Sequence, residues 1–168
     1  MSRILAVDPG TTESAFALLD LGTLKPLHFG KVANERVLMI CKGTLGLGDE
    51  EPLNQMDAFA IEMVACYGMP VGKEVFETVF WIGRFWESLP FIVPRHRLYR
   101  KHDVCMNLCH DTRAKDPNIR QALIDRFGPV GTKREPGWFY GVSKDVWSAI
   151  AVGVTYADKL AKAVTAQE

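Results

Sequence analysis

The segment from residue 4 to residue 20 constrains the fold of this chain more than any other. An apolar run ends in an acid, Asp8, the chain turns at Pro9-Gly10, and a second apolar run follows. Two such runs joined by a short turn predict paired strands. A carboxylate at the end of a buried strand is costly to desolvate unless a positive group binds it. We therefore predict that Asp8 is a metal ligand; the alternative is an Asp that only begins a turn.

The chain has the size and composition of an ordinary globular domain. Its 168 residues can bury a substantial core, and we expect one domain, residues 1–168. A hydrophobic content of 48% and a charged content of 24% favour neither a disordered nor a membrane protein. Because the sequence has no signal-peptide pattern and no apolar run long enough to span a bilayer, we expect a cytoplasmic protein that makes no membrane contact.

The four cysteines have no spacing that predicts a disulfide framework, so we expect free thiols. Cys105 and Cys109, with His102 and His110, could form a zinc site. The second Cys-x-x-Cys pair of a typical zinc site is absent, however, and these residues fall in a predicted helix. Ordinary packing of these side chains is therefore favoured.

Charge is unevenly distributed along the chain, although the formal net charge is zero. Residues 1–62 contain 5 Lys and Arg against 9 Asp and Glu, whereas residues 95–134 contain 10 against 4. An acidic region and a basic region together suit a metal-dependent enzyme acting on phosphodiesters, because carboxylates bind cations and basic side chains bind the nucleic-acid backbone. A solvated basic face is an equally good interpretation.

The order of predicted elements indicates an α/β fold. Three antiparallel strands come first, and later strands run parallel through helical crossovers, which gives a mixed sheet flanked by helices. This is the order of the ribonuclease H-like fold. Strands are predicted at residues 3–8, 14–20, 27–32, 58–62 and 91–93, loops at 43–52 and 128–141, and helices at 37–44, 72–88, 117–127 and 143–163, the last capped by Ser143.

Two further acids are expected beside Asp8. The strand of residues 58–62 also ends on an acid, Glu62, and parallel neighbouring strands would bring both carboxylates to one edge of the sheet. Asp145 lies in the first turn of the last predicted helix, where small residues would let the helix approach the sheet. Three acids could hold two Mg²⁺ ions for phosphodiester hydrolysis. Otherwise Glu62 is a surface acid and Asp145 a helix N-terminal charge.

Four segments together resemble one family, the RuvC-like Holliday junction resolvases, and in particular the phage-encoded crossover junction endodeoxyribonucleases. They are, in order, ILAVDPGTTESAFALLD, FAIEMVACYGMPVGKEVFETVFWIGRF, RAKDPNIRQALIDRFG and KDVWSAIAVGVTYAD. The resemblance implies a homodimer that nicks four-way or otherwise branched DNA with magnesium or manganese. Asp8 and Glu62 match the first two family acids and Asp145 the next, whereas Ser148 stands where the family has an Asp.

Basic residues in two clusters are predicted to bind DNA. The resemblance assigns Lys115 to a basic position that the family uses near DNA, with Arg113 and Arg120 beside it; the alternative is solubility charge at a helix end. The second cluster surrounds Tyr99 and suits contacts with the DNA backbone. It consists of Arg97, Arg100 and Lys101. Neither cluster is suited to reading bases, so we expect recognition of DNA shape.

An apolar stripe follows Glu62, where the family has its dimer helix and a probe of the junction centre. We assign Phe76 and Phe80 in this stripe to the core or to a dimer face, since apolar stripes usually pack.

The expected activity is that of a magnesium-dependent endodeoxyribonuclease that resolves Holliday junctions in recombination or phage DNA processing. A nuclease of the same fold acting on flaps, forks or RNA remains open, as does a junction-binding protein with weakened catalysis, for which Ser148 argues. The Asp-Pro-Gly-Thr-Thr turn also resembles that of actin-like ATPases and sugar kinases. Those proteins need two such domains, and this chain has the length for one.

Overall fold

The computed structural model describes residues 2–44 and 56–166 of the chain. These residues form a five-stranded sheet with helices on both faces. The strands are β1 Arg3–Asp8, β2 Glu13–Asp20, β3 Pro26–Ala33, β4 Ala58–Met63 and β5 Arg95–Tyr99. The helices are α1 Asn34–Cys41, α2 Lys73–Ser88, α3 Met106–Cys109, α4 Asp116–Phe127 and α5 Val146–Thr165, and a π-helical segment, Arg100–Cys105, leads into α3.

The strand order in the sheet is β3-β2-β1-β4-β5. The pairs β1–β2 and β2–β3 are antiparallel, whereas β1–β4 and β4–β5 are parallel. The predicted mixed sheet, with three antiparallel strands followed by parallel ones, is therefore confirmed. Within the described residues, no helix combines the length and the apolar character that crossing a bilayer requires.

Both faces of the central strand β1 are buried, which explains its continuous apolar sequence. Ile4 and Ala6 pack on one face against residues of α5. Leu5 and Val7 point to the other face, where residues of α1 and α2 cover them. By the same alternation, Asp8 at the end of β1 belongs to the face that α5 covers.

Helix α5 lies unusually close to the sheet at Gly153. A Cβ atom at this position would lie 2.5 Å from Leu19 Cδ1 and 3.1 Å from Ala6 Cβ. The prediction of a close approach by the last helix is therefore confirmed. The predicted cap at Ser143 is wrong, because the Ser148 N–H donates to the Asp145 carbonyl at 3.1 Å and the first turn forms two residues later.

The strand predicted at residues 91–93 is also wrong. Phe91 and Ile92 are 100% and 87% exposed, and the Val93 N–H closes a turn by donating to the Pro90 carbonyl. The actual edge strand, β5, begins at residue 95. An apolar run does not mark β5, because its sequence, RHRLY, consists mainly of charged and polar residues.

Smaller differences concern α1 and the loop after it. Helix α1 begins at Asn34 and ends at Cys41, three residues earlier at each end than predicted. The predicted loop at 43–52 lies, from residue 45 onward, outside the described residues. The second predicted loop, 128–141, contains one isolated bridge between Gly131 and Pro136.

The assignment of Phe76 and Phe80 to the core is wrong, because both side chains are 64% exposed. The core face of α2 is formed instead by Ile82 and Phe85, which pack with the apolar residues of α1. Their assignment to a dimer face stays a prediction.

Candidate acidic site and adjoining basic cleft

Asp8 and Glu62 lie side by side at the carboxyl ends of β1 and β4. The parallel register pairs Val7 with Ile61, so the next residue on each strand is an acid. Each carboxylate comes two residues after an alanine, Ala6 in β1 and Ala60 in β4, that packs beneath α5. The structure thus brings together the two acids that the sequence placed at strand ends.

A buried hydrogen-bond network holds the turn that follows Asp8. The Asn34 side-chain amide donates to the Gly10 carbonyl at 3.0 Å, and the Gly10 N–H donates to Ser14 Oγ at 3.1 Å. The Ser14 hydroxyl donates to Asn34 Oδ1 at 2.6 Å and closes the network. Ser14 and Asn34 are buried, so these bonds fix the backbone beside Asp8. We call these three residues the turn brace.

The electrostatic environment of Asp8 disfavours its charge. Burial raises the pKa of Asp8 from its usual 3.8 to about 7, the charge of Glu62 adds to the rise, and the charge of Arg100 opposes it. Burial likewise raises the pKa of Glu62, again opposed by Arg100. Two neighbouring acids with raised pKa values are a common signature of functional sites.

Arg100 enters the site from the end of β5. Its Nη1 donates to Glu62 Oε2 at 3.3 Å and to Ser148 Oγ at 3.1 Å, and its Nη2 pairs with Asp116. The side chains of Arg100 and Glu62 are 23% and 18% exposed. Arg100 is the first residue of the π-helical segment, a rare geometry that often occurs at functional sites.

Asp145 reaches the same region, but it is the N-cap residue before α5 rather than a residue of the first turn, and it is paired with Lys31. The Lys31 Nζ lies 2.7 Å from Asp145 Oδ2. Lys31 belongs to the cross-strand row that starts at Asp8, because Asp8 pairs with Ala15 and Ala15 pairs with Lys31. The negative charge of Asp145 contributes to the raised pKa of Asp8.

A divalent cation fits Asp8 and Glu62, because both are oxygen donors whose charges repel in a half-buried setting. In residues 2–44 and 56–166, however, no group of three or more His, Cys, Asp or Glu side chains is arranged to hold a metal ion. Two of the three predicted acids are paired with basic side chains instead, Asp145 with Lys31 and Glu62 with Arg100. The zinc alternative at Cys105 and Cys109 gains no support, and all four cysteines are free, as predicted.

A basic cleft of about 860 Å³ adjoins the acids, between α4 and the start of α5. Arg100, Arg120 and Lys144 line it together with one acid, Asp116. The Arg120 guanidinium lies 5.1 Å from the ring centroid of Trp147, a geometry that gives a cation–π contact. The cleft therefore offers positive charge and an aromatic surface next to the carboxylates.

The other residues predicted to bind DNA are exposed. Lys101 Nζ lies 4.3 Å above the Tyr67 ring, and Arg97 lies 5.6 Å above that of Trp86. Lys115 precedes α4, where its N–H donates to Asn118 Oδ1 at 3.0 Å. Arg113 also precedes α4 and has a 91% exposed side chain. Arg113 and Lys115 thus lie on the helix start that provides Asp116.

No sequence pattern identified Asp116, Lys31 or the turn brace as parts of the site. The partner of Asp116, Arg100, comes from another element, so no local pattern connects the two residues. Lys31 could have been found, because continuing the strand alternation through both predicted hairpins places it in the row of Asp8.

Two solved structures are similar to this fold. That of Thermus thermophilus RuvC has a TM-score of 0.64 and 16% sequence identity, over 92% of this chain and 93% of that one. That of T. thermophilus RuvC in complex with Holliday junction substrate has a TM-score of 0.59 and 16% identity, over 94% and 93%. No protein-family model matches the sequence, and a search of the curated proteins finds no significant match. The similarity to the two solved structures shows that the chain has a RuvC-like, ribonuclease H-like fold.

Proposed function

We propose that this chain is a metal-dependent endonuclease that nicks branched DNA, with four-way Holliday junctions as its main substrate. The observation that carries the proposal is the pair of carboxylates, Asp8 and Glu62, at one edge of a RuvC-like sheet. Paired carboxylates suit Mg²⁺ and a substrate phosphate. The T. thermophilus RuvC complex with Holliday junction substrate supports branched DNA as the substrate class.

In this proposal Asp8 and Glu62 hold Mg²⁺, and Mn²⁺ can replace it. The bound metal would supply an activated water and charge stabilisation at the leaving oxygen. The turn brace keeps Asp8 in place, while Arg100 orients Glu62 by its hydrogen bond. Asp145 would join the other acids as a metal ligand by giving up its ion pair with Lys31.

The basic cleft and the exposed cations at the start of α4 would bind the DNA backbone. Arg120 and Lys144 line the cleft, and Lys115 and Arg113 come shortly before Asp116, the first residue of α4, which also lines it. Such contacts follow phosphates and give salt-dependent binding, with selectivity from the shape of the junction. The proposed role in recombination or phage DNA processing implies a cytoplasmic protein, in the cytosol of a bacterial host if a phage encodes it.

A homodimer would provide two acidic sites for symmetric nicks. The outer face of α2 supports this, because Phe76, Val79 and Phe80 are exposed there. Large apolar side chains grouped on one exposed face often mark a protein interface. The two-fold partner would use the same face.

A junction-binding protein with weakened catalysis is the second candidate. Three observations favour it: Glu62 is paired with Arg100, Asp145 is paired with Lys31, and Ser148 provides no carboxylate. Such a protein would bind branched DNA without nicking it. Flaps, forks and RNA remain alternative substrates for an active nuclease of this fold.

A nicking assay separates these functions. The protein is incubated with a labelled four-way junction, a flap, a linear duplex and an RNA–DNA hybrid, with Mg²⁺ and with EDTA. We expect Mg²⁺-dependent nicks in the junction, and fewer in the duplex or hybrid. Cleavage of the hybrid alone would contradict the proposal, and junction binding without cleavage would favour the second candidate.

A further inference from the structure

Three polar side chains fix Arg100 inside the acidic site. They are Glu62 of β4, Ser148 of α5 and Asp116 of α4, so Arg100 connects three separate elements. The guanidinium stays charged under all ordinary conditions and has a rigid, planar set of donors. A guanidinium held from three sides therefore acts as a permanent positive charge beside Glu62.

Ser148 allows this arrangement. Ser148 lies in the first turn of α5, three residues after the N-cap residue Asp145, a spacing at which helical positions are neighbours. A carboxylate at position 148 could complete an oxygen-donor set for a cation together with Glu62. Ser148 provides a neutral hydroxyl instead, and that hydroxyl accepts a hydrogen bond from Arg100 at 3.1 Å.

The charges around Asp8 give an independent argument. Three acids raise the pKa of Asp8, namely Glu62, Asp145 and Asp116, and Arg100 lowers it. Lys31 also belongs to this group, because the charge of Asp8 acts on it. Glu13 belongs to the group by the same criterion, because its carboxylate lies 3.9 Å from Lys31 Nζ and its charge also acts on Lys31. With all groups ionised, five carboxylates and two basic side chains leave a net charge of −3, which one divalent ion reduces to −1 and a second would reverse.

We propose that Arg100 is a built-in cation of the acidic site, so that the site binds one divalent metal ion, at Asp8 and Glu62, and excludes a second ion from the space between Glu62 and Ser148. The inference rests on the metal binding of the proposed function. It predicts one bound metal ion, whereas the sequence led us to expect two. Arg100 is thus a positioning residue for Glu62 and substitutes for the charge of a second metal.

Counting bound Mn²⁺ by electron paramagnetic resonance tests this directly, without reference to activity. We expect one Mn²⁺ per chain in the wild type and two in Arg100→Gln, which removes the charge but keeps a polar side chain. The matched control is Arg120→Gln, which removes an arginine from the same cleft and should leave one ion. Equal numbers in the wild type and Arg100→Gln, two ions in the wild type, or none in either, would overturn the proposal.

Substitutions at Ser148 make the test independent of the folding of Arg100→Gln. In Ser148→Asp, the new carboxylate should pair with Arg100, so the count stays at one; two ions would overturn the proposal. In the double variant Arg100→Gln/Ser148→Asp, the second ion should bind on the order of tenfold more tightly than in Arg100→Gln, because an added carboxylate attracts it. Arg100→Lys keeps the charge and should bind one ion.

Three outcomes separate this inference from other roles of Arg100 and from the proposed function. Weaker junction binding by Arg100→Gln in EDTA, with an unchanged Mn²⁺ count, would assign Arg100 to DNA and overturn the proposal. If the wild type nicks junctions and Arg100→Gln binds no additional ion, the proposed function is retained and this inference is wrong. If the expected ion counts are found but no substrate is nicked, the inference about Arg100 is retained and the proposed nuclease function is lost.

Discussion

Two half-buried carboxylates, Asp8 at the acidic site and Asp158 on α5, have opposite electrostatic environments. Burial raises the pKa of Asp8 to about 7, and neighbouring acids add to the rise. Burial also acts to raise the pKa of Asp158, but hydrogen bonds from Arg126 and Asn107 outweigh it and the pKa is lowered. The two nitrogens of Arg126 each lie 2.8 Å from a different oxygen of Asp158, and the Asn107 amide lies 2.6 Å away.

The comparison shows that the partners of a buried acid, more than its burial, decide what it does. Asp158 has donors for both oxygens and stabilises the fold by joining α4 and α5. Asp8 faces mainly other acids, so its ionised form lacks compensation until a cation arrives. A fold that keeps such an uncompensated group gives up stability, which is typical of functional sites.

The largest expected effect is on nicking by Asp8→Asn. The substitution keeps the shape of the side chain and removes the charge that would hold the metal in the proposed function. We expect junction cleavage to fall at least about a hundredfold, the usual cost of losing one electrostatic contributor to catalysis. Junction binding in EDTA, measured by gel shift, should persist, because the basic cleft is intact. Undiminished cleavage would place the active site elsewhere.

The same variant should be more stable than the wild type when metal is removed. Because the folded-state pKa of Asp8 is raised, the folded wild type holds its proton more tightly than the unfolded chain between pH 3.8 and about 7 and loses stability as pH rises through this window. In EDTA at pH 8, Asp8→Asn should therefore be about 3 to 4 kcal/mol more stable by urea denaturation. At pH 4 the difference should nearly vanish.

The exposed acid Glu87 provides a control for this stability measurement. Glu87→Gln should change stability by less than about 0.5 kcal/mol at either pH, as is usual for surface substitutions. A similar gain in Glu87→Gln would mean that overall charge, not the environment of Asp8, causes the effect.

Asn34→Ala tests whether the turn brace holds Asp8 in its unfavourable position. The substitution leaves the Gly10 carbonyl and the Ser14 hydroxyl without their Asn34 partners in a buried setting. We expect a loss of about 2 to 3 kcal/mol in unfolding free energy. Cleavage should fall as well, since Asp8 is then less well placed. A stable variant with full activity would show that the brace is dispensable.

Asp158→Asn should have the opposite sign to Asp8→Asn. It removes the charge that Arg126 binds through two nitrogens, and we expect a loss of about 2 kcal/mol at neutral pH. Because the pKa of Asp158 is lowered, this contribution is complete above the usual pKa of 3.8 and is lost as pH falls through the lower folded-state value. A stability gain would refute the contrast between the two acids.

Arg126→Lys should have the smallest effect and separates charge from hydrogen bonding. Lysine keeps the positive charge near Asp158 but cannot reproduce the paired 2.8 Å contacts. A loss of about 1 kcal/mol in thermal or urea unfolding is expected. A loss equal to that of Asp158→Asn would mean that geometry, not charge, provides nearly all of the stabilisation.

The sequence predicts the parts of this molecule that depend on local pattern. Alternation and apolar runs locate β1 and β4, and their parallel pairing then brings Asp8 and Glu62 to one edge of the sheet. The same reasoning failed at residues 91–93, where apolar character marked an exposed turn while the charged strand β5 began after it.

Contacts between distant elements could not be predicted in this way. Arg100 was assigned to DNA because it lies in a basic cluster, and DNA binding by this residue stays a prediction. Its bonds to Glu62, Ser148 and Asp116 depend on how β5, α5 and α4 are placed in space. The pairing of Asp145 with Lys31 likewise joins residues 114 positions apart.

The close packing at Gly153 has a consequence for how the sequence of this protein can change. Gly153 lies five residues, or about 7.5 Å along the helix axis, from Ser148. A larger residue there would push α5 away from Leu19 and Ala6 and carry Ser148 and Asp145 with it. If the protein has the proposed activity, a random screen for lost DNA cleavage should therefore recover substitutions at a buried glycine that is not among the proposed metal-binding or DNA-binding residues. Positions of α5 that lie far from the sheet would then tolerate substitution better than positions packed against it, whatever their distance from the acids.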